Sequence, residues 1–198
     1  MIYACDRTRP QHYEATATGR RYWSVSEVRA VMDPDAFAYV TPEVLEAAGE
    51  RGRRLHTYFA VLLYHKLGKS GPPDEVRGDE GYCAAIRRAV EELKLEPLLI
   101  EHTSANDQLG YAGTFDFLGR LYGKPRRWLL DLKGGVETKT DAVQTMAYRK
   151  TTDGAQARTC GDLYVQADGM YRLIERPFES REWAGFLAGV ALLNWRVR

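Results

Sequence analysis

The absences in this chain narrow it first. Cysteine is scarce: only Cys5, Cys83 and Cys160, widely separated. That spacing makes neither a zinc pattern nor a disulfide framework, and a reducing cytoplasmic compartment is the expectation. No apolar run approaches 18 residues, so no membrane-spanning helix is expected. The amino terminus is polar and charged, so no signal peptide is expected. Internal repeats and low-complexity segments are lacking. Charge of either sign is not in excess: 28 Lys and Arg stand against 27 Asp and Glu, for a net charge of +1. A nucleic-acid partner therefore cannot be read from the sum, only from the distribution.

What is present fits one ordinary domain. The 198 residues are 44% hydrophobic and 28% charged, enough for a single core. Residues 1–21 are polar and aperiodic, and read as a loose arm before a domain over 22–198. A short helix is expected over 23–32, capped near Ser24 or Ser26. Thr41-Pro42-Glu43 is a helix start, with a cap, an early proline and an acid after it. The periodic run then reaches Lys66. A loop over 69–75, a helix over 81–95 and a strand over 97–103 follow. The hairpin described below comes next, then a helix over 141–150 and a polar loop over 151–159. Strands over 163–166 and 171–175 flank the turn signal Asp168-Gly169, and a helix over 180–195 closes the chain. Helices around a small mixed sheet make this an α/β or α+β fold.

The richest stretch runs from Gly113 to Tyr148. Residues 111–122 and 128–132 are apolar and aromatic, and Gly123-Lys124-Pro125-Arg126-Arg127 between them turns the chain, as in a β-hairpin. With the turn centred on 123–124, Asp116 and Asp131 lie opposite each other; a one-residue slip would put them on opposite faces. Asp131 and Lys133 share a face of their strand. Opposed strand residues have Cβ atoms about 4.5–5.5 Å apart, and two carboxylates that close repel unless a cation separates them. Mg²⁺ suits carboxylate oxygens, waters and phosphate. The plainer alternative pairs Asp116 with Lys133 or an arginine on a solvated face and uses Asp131 to start a turn.

Four motifs in order strengthen the first reading: Arg51-Gly52-Arg53-Arg54-Leu55-His56, Gly113-Thr114-Phe115-Asp116, Asp131-Leu132-Lys133, and Gln144-Thr145-Met146-Ala147-Tyr148. Together with Ser24-Val25-Ser26 upstream, they resemble the PD-(D/E)XK nuclease superfamily, in particular its RecB-type and phage-type exonuclease branch. The resemblance spans roughly residues 20 to 170. Phe115 stands where the superfamily's name has proline, and Asp131 where glutamate is more usual.

The resemblance implies a restriction-endonuclease-like core and a Mg²⁺- or Mn²⁺-dependent deoxyribonuclease, exonuclease more than endonuclease, serving recombination, repair or other DNA processing. It implies that His56, Asp116 and Asp131 bind the ion, with the backbone carbonyl of Leu132. Lys133 would position the attacking water, Gln144 would orient Lys133 or the substrate, and Tyr148 would contact the DNA backbone; the alternative is that Tyr148 packs on the sheet and Gln144 lies at the surface. His56 shares a stripe with Phe59 and Leu63, so a satisfied core or edge histidine is the alternative. Glu101 would bind a second ion or orient a water, or else face solvent from an edge strand. Among basic residues, Arg51, Arg53, Arg54, Arg149 and Lys150 flank the candidate site, and arginine forks suit phosphate. Some members hold an iron–sulfur cluster on four cysteines; with three, this chain is expected to hold none. DNA is the expected partner, alongside a second copy or a recombination or replication protein, and no membrane. A DNA-binding subunit that keeps the fold without cleavage is the alternative from another class.

Overall fold

The computed structural model describes residues 3–74, 76–177 and 180–197. Among them are eight strands and five α-helices. In chain order these are β1 (Tyr3–Cys5), β2 (Tyr13–Ala15), β3 (Arg21–Ser24), α1 (Val25–Met32), α2 (Pro42–Lys66), α3 (Glu80–Glu92), β4 (Glu96–Asn106), β5 (Tyr111–Arg120), β6 (Trp128–Lys133), α4 (Asp141–Arg149), β7 (Thr159–Val165), β8 (Tyr171–Arg176) and α5 (Ser180–Arg196). The expected loop over 69–75 separates α2 from α3, apart from Glu75, which lies outside the described residues. No helix among the described residues is long and apolar enough to cross a membrane.

All eight strands join in one mixed sheet, in the order β1-β2-β3-β5-β6-β7-β8, with β4 on β5. The β3–β5 and β6–β7 pairs are parallel and the others antiparallel. Helices cover both faces. On one, Leu55, Phe59 and Leu63 of α2 and Ile86 and Val90 of α3 pack on Phe117, Leu130 and Leu132. On the other, Val28 of α1, Val143 and Ala147 of α4 and Phe186 of α5 pack on Phe115, Leu118 and Leu129. The fold is thus the expected α/β class, a mixed sheet between two helical layers.

One feature of this sheet makes room for a site. Strand β4 runs along one edge of β5 over its whole length. The other edge is divided: β3 pairs at Tyr111 and Ala112, and β6 at Phe117 to Gly119. Between them, residues 113–116 of β5 have no strand partner on that edge among the described residues, so the sheet forks there. Asp116 sits at the fork.

Local sequence accounts for the flanking elements. Ser24 caps α1: its Oγ accepts from the Glu27 N–H at 3.0 Å, and the Glu27 carboxylate accepts from the Ser24 N–H at 2.7 Å, a reciprocal capping box. Pro42 opens α2; Thr41 stands at the cap position, but its side chain makes no capping bond. Gly169, at a φ of +82°, turns β7 into β8 as Asp168-Gly169 foretold.

The arm expected over 1–21 is different. Within its described residues, β1 and β2 form a ribbon that continues into β3. Tyr13 and Ala15 are buried with Tyr22, Ala105 and Ala112. Strands of three residues are too short for periodicity to register in the sequence, but pairing of β1 with β2 and of β2 with β3 gives their backbone groups partners.

Candidate active site

The β5–β6 hairpin pairs residues up to, but not including, its two aspartates. Phe117 faces Leu130, Leu118 faces Leu129 and Gly119 faces Trp128; the same register extended by one pair sets Asp116 against Asp131. Gly123, at a φ of +68°, makes the turn. Ladder pairing stops one step short of the aspartates. Instead, the Leu132 N–H donates to Asp116 Oδ2, so the carboxylate takes the place of a strand at the fork.

Two other elements converge on Asp116. From α2, His56 Nδ1 lies 2.6 Å from Asp116 Oδ1 and 3.7 Å from Glu101 Oε1. From β4, Glu101 approaches with its backbone in the left-handed region, at a φ of +45°. Its neighbours Ile100 and His102 pair normally with Phe117 and Phe115, so the distortion is confined to the residue across from Asp116. A non-glycine residue in that region costs of order 1–3 kcal/mol and persists where its surroundings enforce it. Ligand atoms of His56, Glu101 and Asp116 all lie within 4.8 Å of one another. Asp116 is buried, whereas the His56 and Glu101 side chains are each 36% exposed.

The protonation of this group follows from burial and crowding. Burial pushes the Asp116 carboxyl up to about 7; Asp131 and Glu101 push the same way, and His56 opposes them. For His56, burial works against the charged ring, but the Asp116 carboxylate prevails and the imidazole is raised well above its usual range. Without another cation, the cluster therefore holds protons to relieve its charge.

Asp131 and Lys133 alternate with Leu130 and Leu132 and so face α4. Lys133 Nζ sits 2.5 Å from Asp131 Oδ2, 2.6 Å from Gln144 Oε1 and 3.6 Å from Asp141 Oδ1. Burial disfavours its charge, but Asp131 and Asp141 outweigh that and raise its pKa. Buried Asp131 Oδ2 thus has the Lys133 ammonium as its close partner. Asp131, expected with the metal ligands, here has its carboxylate on Lys133. It remains close enough to influence both Asp116 and His56.

Gln144 Oε1 accepts from Lys133 Nζ. Its Nε2 donates to the Tyr148 hydroxyl at 2.8 Å. Tyr148 corrects an expectation: it is 5% exposed and not at the surface where a DNA backbone would pass. Its ring lies against Gly113, where a Cβ would come within 2.3 Å of the tyrosine Cε1. Gly113 is thus small to admit Tyr148.

Four of the five basic residues assigned to DNA have partners within the protein. Arg54 donates to Asp79 at 2.7 and 2.9 Å. Arg149 interacts with buried Cys160, and Lys150 lies over the Trp183 ring at 5.7 Å. Arg51 lies 5.3 Å over the Tyr82 ring, and Arg53 is exposed. Among the histidines left outside the site, His102 contacts Asp153 at 2.9 Å.

Arg29 and Asp141 were not found from the sequence. Arg29 reaches from α1 to Thr138, Thr140, Asp141 and Gln144. Asp141, at the start of α4, accepts from the Thr138 N–H at 2.8 Å and the Tyr164 hydroxyl at 2.8 Å. Burial opposes its charge, but Lys133 and the Thr138 donors lower its pKa. The available signal was an acid in the first turn of a helix, which usually means only capping.

The donor set fits a hard divalent cation. It offers the carboxylate oxygens of Asp116 and Glu101 and one imidazole nitrogen of His56, and such oxygens and nitrogen suit Mg²⁺ or Mn²⁺. Crowded carboxylates raise one another's pKa unless a positive charge intervenes.

No family model matches the sequence, and no curated protein matches it. Among solved structures, the chain is similar to an alkaline exonuclease (LHK-Exo) from Laribacter hongkongensis, with 13% identity, a TM-score of 0.48, and coverage of 88% of this chain and 87% of that one. The same enzyme in complex with dAMP gives 14% identity and a TM-score of 0.43 over the same shares. SSO0001 gives 12% identity and a TM-score of 0.44, over 87% of this chain and 75% of that one.

Proposed function

We propose that this protein is a divalent-metal-dependent deoxyribonuclease of the PD-(D/E)XK type, and an exonuclease rather than a site-specific endonuclease. The observation that carries the reading is the convergence of His56, Glu101 and Asp116 within 4.8 Å, at a sheet fork whose next strand carries Lys133. A plain salt-bridged sheet face would not need a left-handed glutamate and a helix-borne histidine aimed at one buried aspartate.

His56, Glu101 and Asp116 would hold the ion, with Asp131 and the Leu132 carbonyl completing its surroundings. The ion, when bound, supplies a lowered pKa for water and charge neutralisation at the phosphate. Lys133, fixed by Asp131 and Gln144, orients the attacking water and meets the developing negative charge. Gln144 holds Lys133, and Tyr148 holds Gln144. Arg51 and Arg53, on the helix that carries His56, are the proposed contacts to the DNA backbone. Hydrolysis leaves a 5′-phosphate, by resemblance to the superfamily. Recombination or repair is the proposed setting, with a second copy or a recombination or replication protein as further partner.

The test is cleavage of end-labelled linear DNA and closed circular DNA with Mg²⁺, Mn²⁺ or EDTA, beside Lys133→Ala. Metal-dependent loss of linear DNA alone, abolished by the substitution, is the expected result. Nicking of the circle would make the protein an endonuclease. Binding of DNA with no cleavage in any ion would replace this reading with that of a non-catalytic DNA-binding subunit.

A further inference from the structure

The surroundings of Lys133 are more elaborate than an ion pair requires. A lysine ammonium is a flexible point charge with three rotatable donors, and Asp131 alone would neutralise it. Instead Nζ also meets Gln144 Oε1 at 2.6 Å and Asp141 Oδ1 at 3.6 Å. Both of these acceptors are shared with a second cation. Arg29 donates through Nη1 to Gln144 Oε1 and through Nη2 to Asp141 Oδ1, the latter at 3.1 Å. Its Nε and Nη2 also reach Thr140 Oγ1, at 3.1 and 2.9 Å. Two cations drawn to the same two oxygens repel each other, so charge balance alone does not explain Arg29. The planar guanidinium fork fixes the directions of its acceptors in a way an ammonium cannot.

The other ends of the acceptors are fixed as well. Asp141 Oδ2 takes the Tyr164 hydroxyl and the Thr138 N–H, each at 2.8 Å. The Gln144 amide nitrogen donates to Tyr148, which sets which end of the amide faces the cations. Each acceptor is therefore held at both ends, and Lys133 has one place to sit. The side chains come from α1, β6, α4 and β7, so the arrangement exists only in the folded protein.

We infer that Arg29 and Asp141 are positioning residues, which clamp Gln144 and thereby hold the Lys133 ammonium at a fixed point beside Asp131. The inference rests on the role given to Lys133 above. The clamp itself is a property of the protein and has a readout without cleavage.

The experiment compares the full chain with Arg29→Ala, Arg29→Lys and Asp141→Asn. It measures kcat and KM on linear duplex DNA with Mn²⁺. It also measures the rate of Lys133 reductive methylation without metal, read by mass spectrometry. Arg29→Ala is expected to lower kcat about tenfold to a hundredfold, the scale of a misplaced catalytic group. KM should stay within about twofold, and Lys133 should label faster. Asp141→Asn should change both in the same direction. Arg29→Lys should restore part of kcat and part of the protection, since an ammonium cannot bridge both acceptors in fixed geometry.

Folded Arg29→Ala and Asp141→Asn proteins with wild-type kcat and wild-type Lys133 labelling would overturn the inference. A loss confined to KM would also overturn it, making Arg29 a substrate contact. Should Arg29→Ala fail to fold, Asp141→Asn, nearly identical in shape, carries the same two outcomes. If the wild-type protein cleaves nothing in any ion, the nuclease reading fails, while the labelling rates still decide whether the clamp exists.

Discussion

The two halves of the site are built on opposite principles. On the α2 side, His56, Glu101 and Asp116 crowd acidic groups around one another with little to neutralise them, and two of the three are open to solvent. On the α4 side, Lys133 and Arg29 face Asp131 and Asp141, with Gln144 between the cations. The second half is balanced by its own residues. The first is balanced only by protons or by a cation from outside. Charges with little internal compensation are costly in a protein interior, and a group left in that condition is a place where function takes precedence over stability. The half that needs a partner is where the ligand is expected, and the self-sufficient half holds a tool in place for it.

The comparison breaks most completely at Asp116. Asp116→Ala removes the group on which His56, Glu101 and the Leu132 N–H converge; DNA cleavage should fall to the level of an EDTA blank while a melting curve still shows a folded protein. Lys133→Ala attacks the other half. There we expect cleavage to fall about a hundredfold to a thousandfold, the cost of losing one preorganised donor to developing charge, with metal binding intact by calorimetry.

A metal should stabilise chiefly through the α2 half. At about 100 times its Kd a ligand adds about 2.7 kcal/mol, which for a chain of this size is about 5–10 °C in Tm. Thermal melts with and without Mn²⁺ should show that shift for the wild-type protein and for Arg29→Lys, and a much smaller one for Glu101→Gln. Equal shifts in all three would remove Glu101 from the metal's surroundings.

The pH dependence has a definite sign. Asp116 binds its proton more tightly folded, at about 7, than at its ordinary 3.8. Its contribution to the stability of the metal-free protein is therefore fully present below about pH 4 and lost as pH rises through about 7. Metal binding must displace that proton, and the one on His56, so affinity should climb across the same interval. Calorimetry in two buffers of different ionisation enthalpy should record proton release near pH 6; none would mean the ion does not reach Asp116.

The smallest effect concerns Tyr148. Tyr148→Phe should leave DNA affinity unchanged, because the ring is buried. It should cost about 1 kcal/mol for the lost hydrogen bond from Gln144, read by denaturant unfolding.

Much of the site was legible along the chain because it depends on short-range rules. The turn at Gly123 sets the hairpin register as far as Phe117 and Leu130, next to Asp116 and Asp131, and the period of two in a strand puts Asp131 and Lys133 on one face. Gln144 and Tyr148 are one helical turn apart, and they do touch. Their roles were less legible. Spacing shows that two side chains share a face but not whether that face is wet, and Tyr148 turned out to be covered. For basic residues, proximity in sequence said nothing of prior commitments: Arg54 belongs to Asp79, Arg149 lies by Cys160 and Lys150 lies over Trp183. The arm over 1–21 was misjudged because a three-residue strand carries almost no pattern.

By itself, the sequence determined the order of the elements from α1 onward, the α/β class and the spacing of the titratable residues along the hairpin. Each of these rests on interactions between near neighbours, which the chain encodes directly. Only the tertiary structure decided that the sheet forks at residues 113–116, that Glu101 is turned toward Asp116, that Asp131 sits on Lys133, and that Arg29 crosses from α1 to share acceptors with Lys133. Those outcomes depend on contacts between residues tens of positions apart, where position in space is set by packing of the whole sheet and not by any local preference.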